Sequence, residues 1–179
     1  FLKPDSKAIQ DYDKFRKEFG RDEFFVIAIT GEPVLNVEYL ATLKELHEEL
    51  GRSVDYLQSV ESLVNVRSIY GAEDDLIAEE LLEELPETAE QMAVITERVR
   101  NKPIYYGRLI NTKEDATTLL VKLLPYVPTT LPDGTQHLHN LADEEMFAVY
   151  NHLLDVAASF EPKFGDNAKI LIGGTPASG

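Results

Sequence analysis

The amino-acid order predicts an α+β domain in which helices pack on a mixed β-sheet, a ferredoxin-like or split βαβ sandwich. Three observations carry this. Phe24-Phe25-Val26-Ile27-Ala28-Ile29 is a six-residue apolar run rich in β-formers, which reads as a strand covered on both faces and therefore placed mid-sheet. A leucine-striped helix and a second strand follow it directly, making a strand, helix, strand unit. The chain then closes on strand, long helix, strand, which repeats that arrangement.

Taken in order, Asp5 or Ser6 caps a first helix whose apolar residues Ile9, Tyr12, Phe15 and Phe19 recur at spacings of three and four, with Gly20 placed to end it. After the strand at 24–29, Asn36 caps a helix carrying Val37, Leu40, Leu43, Leu46 and Leu50 on one face, and Gly51 is its expected stop. The strand at 54–60 is expected to lie beside 24–29 after a parallel crossover. Between 73 and 102 the pattern reads as two helices. Leu76, Ile77, Leu81, Leu82 and Leu85 stripe the first, before Pro86, and Met92, Ile95 and Val99 stripe the second. Glu79, Glu80, Glu83 and Glu84 then form the solvated face of the first of these.

Residues 104–110 and 117–124 read as the arms of an antiparallel hairpin joined by the polar stretch 111–115, with Gly107 marking a bulge. A loop containing Pro128, Pro132 and Asp133-Gly134 precedes a long helix at 141–160, striped by Met146, Tyr150, Leu153, Ala157 and Phe160. A last strand is expected at 169–172. No internal repeat is visible, and the proline- and glycine-bearing connection at 125–134 is too short for an interdomain linker.

The chain has 179 residues, enough for one domain that buries roughly two thirds of its unfolded surface. Its 17 basic and 32 acidic residues give a formal charge of -15, which repels nucleic-acid phosphates and anionic headgroups, so nucleic acid is excluded as a partner class. The carboxylates are read as solvation of the surface. With no cysteine, disulfides, thiolate metal sites and cysteine nucleophiles are excluded together. No run approaches the roughly 20 apolar residues that span a bilayer, and no segment has the form of a signal peptide. The chain starts at Phe1-Leu2 and ends on the loop-like 173–179, which leads to the expectation of a fragment whose parent continues in both directions.

Several segments, in order, resemble one family. Phe19-Gly20-Arg21-Asp22-Glu23 with the apolar strand after it resembles the segment that follows the first transmembrane helix in exporters of the resistance-nodulation-division (RND) superfamily. Ser59-Val60, Ser62-Leu63 and Asn65-Val66 are similar to that family's strand and turn, Gly107-Arg108-Leu109-Ile110-Asn111 to its short strand and polar turn, and Ile172-Gly173-Gly174-Thr175-Pro176 to the segment before its second membrane region. The likeness runs from about Phe19 to Pro176 and is nearest to the compact hopanoid- and mycolate-exporter-like members.

The resemblance implies a membrane-proximal helix at 1–20 and an extracytoplasmic porter domain at 21–179. It implies a proton-driven exporter of the cell membrane whose substrate, hydrophobic or amphiphilic, is handled outside the membrane. The implied partners are the transporter's own transmembrane helices, its second extracytoplasmic loop and further copies of itself. It implies neither catalysis nor a cofactor.

Other chemistry reads more weakly. His137-x-His139, joined by Asp143 or His152, offers two imidazoles from one face of an extended segment, but no third ligand has diagnostic spacing, so a polar loop is the preferred reading. Gly173-Gly174-Thr175 lacks the lysine of a phosphate loop and reads as a turn, and Ser53, Ser59, Ser62, Ser68 and Ser159 sit in no nucleophile elbow. Tyr105, Tyr106 and Tyr126 fit either a ligand cleft or the core, with the core preferred. No catalytic, cofactor or metal residue is assigned, and two other functions stay open: an assembly module without a substrate site, and a metal-dependent enzyme using His137 and His139.

Overall fold

A computed structural model describes residues 23–174. The helix expected around Ile9 to Phe19 lies outside the described residues. The described chain runs β1 (Phe24–Thr30), α1 (Val37–Ser53), β2 (Leu57–Glu61), β3 (Arg67–Ala72), β4 (Asp75–Glu80), α2 (Ala89–Arg100), a 3-10 turn (Pro103–Tyr105), β5 (Ala116–Leu123), β6 (Val127–Thr130), β7 (Gln136–His139), α3 (Asp143–Phe164) and β8 (Lys169–Gly173).

The principal sheet has the order β2-β5-β1-β8. Every hydrogen-bonded neighbour in it is antiparallel. The parallel relations sit one strand apart: β1 and β2 run the same way with β5 between them, and β5 and β8 run the same way with β1 between them. These are two interleaved split βαβ units, the ferredoxin-like arrangement, and the domain is α+β. β1 is interior as its composition predicts, but its neighbours are β5 and β8, so the expected pairing of 24–29 with 54–60 is replaced by one across β5.

Alternation along β1 decides which face meets the helices. Phe25, Ile27 and Ile29 point into the main core with Leu40, Leu43, Leu46 and Leu50 of α1 and with Met146, Val149, Leu153 and Phe160 of α3. Asn36 caps α1 by accepting from the Tyr39 N–H at 2.8 Å, as its residue type predicts. The helix passes through Gly51 and ends only where Val54 N–H reaches Leu50 O at 3.2 Å. At the β1–α1 turn Gly31 has φ +96, and a Cβ there would collide with the Asn167 carbonyl. Because Val26 pairs with Gly173, the polypeptide enters the sheet along β1 and leaves it along β8 side by side.

Two insertions interrupt this frame. The segment expected as a helix at 76–85 is instead the second arm of the β3–β4 hairpin, in register from Arg67↔Glu80 to Ala72↔Asp75. Glu73, at φ +52, makes the reversal. Leu76 is 80% exposed, whereas Leu81 and Leu82 are buried as the chain returns and their N–H groups bond Val66 O and Val64 O. The expected strand at 104–110 is likewise not one. Pro103 opens the 3-10 turn, and the Tyr105 carbonyl accepts from both Leu109 and Ile110 N–H. Gly107, at φ +80, turns the chain there, which leaves only isolated bridges of Ile110 to Tyr106 and Thr117. The proline-containing loop at 125–134 contributes to a second hairpin, β6–β7, paired from Val127↔His139 to Thr130↔Gln136. The helix read from Met92, Ile95 and Val99 is α2, closed by a capping box of Thr88 and Gln91.

Candidate functional site

The first insertion and the end of β2 enclose a cleft of ≈ 330 Å³. One wall is the turn after β2, and its sequence builds it by local hydrogen bonds. Ser62 Oγ accepts from Val64 N–H at 3.0 Å, Asn65 Oδ1 accepts from Ser62 N–H at 3.0 Å, and Asn65 Nδ2 donates to Val60 O at 2.8 Å. The Ser62-Leu63-x-Asn65-Val66 pattern is therefore a self-bonded turn. From behind, His47 Nδ1 sits 2.8 Å from Ser62 Oγ. Burial, outweighing Glu48 nearby, pushes the His47 pKa below the ordinary imidazole value, and a neutral ring accepting the serine proton fits that geometry.

The opposite wall is the 3-10 turn and the loop after it. Tyr105 is buried, and its hydroxyl donates to Arg67 O at 2.7 Å, tying this wall to β3. Burial raises the Tyr105 pKa, so the phenol stays protonated and a donor. Thr117 and Thr118 on β5 donate through their hydroxyls to Leu109 O and Arg108 O, each at 2.6 Å, which fixes where Arg108 leaves the loop.

Val66, Ile104, Tyr105 and Leu109 give the cleft apolar surface, and Asn65, Arg67 and Arg108 give it polar groups. Ile104 is 67% exposed at the lip. Glu61 also lines it, but that carboxylate lies 3.5 Å from Lys122 Nζ. In a chain of net charge -15, two arginines are among the residues that line this otherwise largely apolar cleft. Chemically it fits an elongated apolar group ending in a carboxylate, sulfate or phosphate, because the planar guanidinium fork matches those anions.

A second cleft of ≈ 340 Å³ lies between β4 and α2. Glu79, Glu80, Glu83 and Glu84 line it, with Arg98 held by Glu79 at 3.3 Å and stacked 3.9 Å over the Tyr70 ring. The acidic groups expected on one helix face thus lie partly on a strand and partly on the turn after it.

The structure separates the other sequence candidates. His137 and His139 alternate on β7 and share its face, with His139 bonded to Thr129 Oγ1 at 2.8 Å and Glu145 Oε1 at 3.4 Å. His152 is elsewhere, on α3, 2.7 Å from Ser53 Oγ. Among the described residues no group of three or more His, Asp or Glu is placed to hold a metal ion. Tyr105 belongs to both core and cleft, Tyr106 bonds Glu114 at 2.9 Å, and Tyr126 is 59% exposed. The Glu114 pKa is lowered from the ordinary carboxylate value, chiefly by its two hydrogen bonds from Arg100. Of the segment read as a turn, Gly173 is the last residue of β8, and Thr175 lies outside the described residues.

Sequence reading missed that Arg67, which opens β3, and Arg108, in the loop after the 3-10 turn, line one cleft. Pro103 beside an aromatic pair, with Gly107 just beyond, was the available signal that this stretch turns and does not extend. Comparison with known proteins finds no matching family model, no matching curated protein and no matching solved structure. No described helix is long and apolar enough to cross a membrane.

Proposed function

We propose that this chain is the extracytoplasmic porter domain of an RND-type, proton-driven exporter, and that it receives an amphiphile in the cleft between the Ser62–Val66 turn and the 103–109 segment. The observation that carries this reading is the cleft itself, with Arg67 and Arg108 set against Ile104, Val66 and Leu109. Two further features support it. The interleaved split βαβ frame is the one the family resemblance implies, and the side-by-side start of β1 and end of β8 suits a module inserted between two membrane helices. Within that reading the domain binds and hands on its substrate without altering it.

The test is titration of the chain with a fluorescent long-chain fatty acid. Arg67→Ala with Arg108→Ala should weaken binding about tenfold, the worth of a charge-assisted hydrogen bond, and Ile104→Glu should weaken it comparably. Equal affinity for wild type and both variants would sink the cleft assignment. The transporter assignment is tested separately by reading the full coding frame, which must place hydrophobic spans on both sides of this segment.

A second reading, an assembly module, has its own support. Ile69 and Leu76 are 52% and 80% exposed on one face of the β3–β4 hairpin, where the pairs Ile69↔Ala78 and Gly71↔Leu76 put them side by side. If Leu76→Asp abolishes self-association or capture by the transporter's other parts while fatty-acid binding is absent, this reading replaces the first.

A further inference from the structure

The cleft wall that follows β2 is held from behind by a titratable side chain. His47 stands on α1 with its Nδ1 2.8 Å from Ser62 Oγ. Ser62 is 1% exposed, and most bonds of the turn pass through it. Its hydroxyl oxygen accepts from Val64 N–H, its N–H donates to Asn65 Oδ1, and its carbonyl accepts from the Asn65 and Val66 N–H groups. Ser62, Asn65 and Val66 all line the cleft. A change in the partner of the Ser62 hydroxyl therefore acts on the wall itself.

With a neutral ring the bonds close, because Ser62 O–H donates to Nδ1 while Oγ accepts from Val64. A second proton on the ring turns Nδ1 into a donor. Oγ then faces donors on both sides, and the serine proton must turn away from the ring in a site closed to water. The surroundings resist that charge. Burial is the largest influence on the ring and disfavours its charged form, Glu48 on the same helix favours it, and Lys44 opposes it. The 62–66 turn carries no titratable side chain, and Glu61 before it lies against Lys122. The segment at 81–84, bonded to the turn from Leu82 N–H to Val64 O, brings Glu83 and Glu84, which line the second cleft. Lys44 Nζ donates to the Leu82 and Glu83 carbonyls of that segment. On α3, His152 reaches α1 at Ser53 and not at His47.

We infer that His47 is an acid-operated catch on this turn: taking up a proton withdraws the acceptor for Ser62, loosens the Ser62–Val66 wall, and lowers the affinity of the cleft for its amphiphile. The last step rests on the cleft reading proposed above, and the first two do not. Histidine suits the task because its charge changes within the range that compartments of different acidity span.

The experiment is a titration of the chain from about pH 7.5 to about pH 4.5, read in two ways. By NMR, the His47 ring and the Ser62 and Val64 amides should titrate together with a midpoint below 6.5, while the buried Leu119 amide of β5 stays unmoved. By fluorescence, a pyrene-labelled long-chain alkyl sulfate, ionised throughout this range, should lose at least tenfold in affinity over the same step. His47→Gln keeps an acceptor for Ser62 and takes up no proton. It should hold the affinity within about twofold and leave both amides still.

A ring that stays neutral to the end of the titration overturns the inference, as does one that charges while Ser62 and Val64 do not move. Movement shared by Leu119 marks general unfolding and rejects a local catch. Equal loss of affinity in wild type and His47→Gln assigns the effect to another group and rejects it too, as does wild-type affinity that ignores the charging of the ring. Should the chain bind no alkyl sulfate at any pH, the cleft reading fails by itself. The wild-type amides then decide the catch alone: titration with the ring upholds it, and stillness rejects it. The same reading decides the matter if His47→Gln does not fold.

Discussion

The sheet-and-helix frame and the insertion between β2 and β5 are held together by different means. In the frame, β1 pairs on both edges, and Phe25, Leu43, Leu50, Leu119 and Leu153 are at most 1% exposed, so burial of apolar area dominates. In the insertion, position is set one hydrogen bond at a time, by Asn65 on Val60, Tyr105 on Arg67, and Thr117 and Thr118 on the Leu109 and Arg108 carbonyls. The contrast teaches where specificity resides. The insertion also sends Leu63, Leu82, Val99 and Tyr105 into the same core, but the walls of its cleft are set in place by hydrogen bonds between side chains and backbone.

The sharpest break of that contrast is a charge in the frame. Ile27→Asp places a carboxylate at a site 2% exposed between two strands, and should cost more than about 4 kcal/mol or prevent folding. Glu80→Ala on the exposed strand of the insertion should leave the thermal midpoint within about 1 °C, a shift of a few tenths of a kcal/mol. Thermal unfolding of the two side by side decides it, and equal stability of Ile27→Asp and wild type would reject the central placement of β1.

Next in size is Asn65→Ala, which removes the acceptor for Ser62 N–H and the donor to Val60 O. About 2 kcal/mol should be lost in urea titration, together with the amphiphile binding that depends on this wall. A variant that loses stability but keeps binding would show that the turn does not shape the cleft.

A smaller effect follows from His47. Its folded pKa lies below the unfolded value near 6.5, so the unfolded chain binds the extra proton first. The stabilising contribution is complete above about pH 6.5 and is lost as pH falls through the folded pKa. His47→Gln should flatten the stability profile in that window. Glu114, Glu145 and Asp133, all lowered below their ordinary carboxylate values, act only at more acid pH.

The smallest change is expected within the frame. The Tyr39 hydroxyl is buried without a hydrogen-bond partner, and burial, with Glu32 nearby, raises its pKa. Tyr39→Phe removes that unpaired group while keeping the ring against Phe164, 4.9 Å between centroids. Stability should be unchanged within about 0.5 kcal/mol or should rise. A loss of more than that would mean the hydroxyl has a role in the fold.

Legibility in the sequence follows the same division. β1 is marked by its continuous apolar run, α1, α2 and α3 by apolar residues at helical spacing, and the start of α1 by Asn36, and those signals are local. Leu76, Ile77, Leu81, Leu82 and Leu85 satisfy a helical period equally well, but Arg67–Ala72 offers a strand partner, and pairing with it overrides the period. Residues 104–110 have β-forming composition, yet Pro103 withholds a donor and Gly107 turns the chain. The cleft was the least legible part, because Arg67 and Arg108 are brought to it by tertiary bonds such as those of Tyr105 and Thr118.

One consequence of the strand order is mechanical. Among the described residues β8 is an edge strand hydrogen-bonded in the sheet to β1 alone, and Val26 faces Gly173 near the start of β1 and the end of β8. A pull that separates the chain at these two points loads the β1–β8 ladder from one end, so its bonds part in succession and not together. β8 is then expected to peel first, against its packing on α3, while β5 still clamps β1 from the other side. Displacement applied at the base of the domain would be absorbed by that edge before it reached the turn that shapes the cleft.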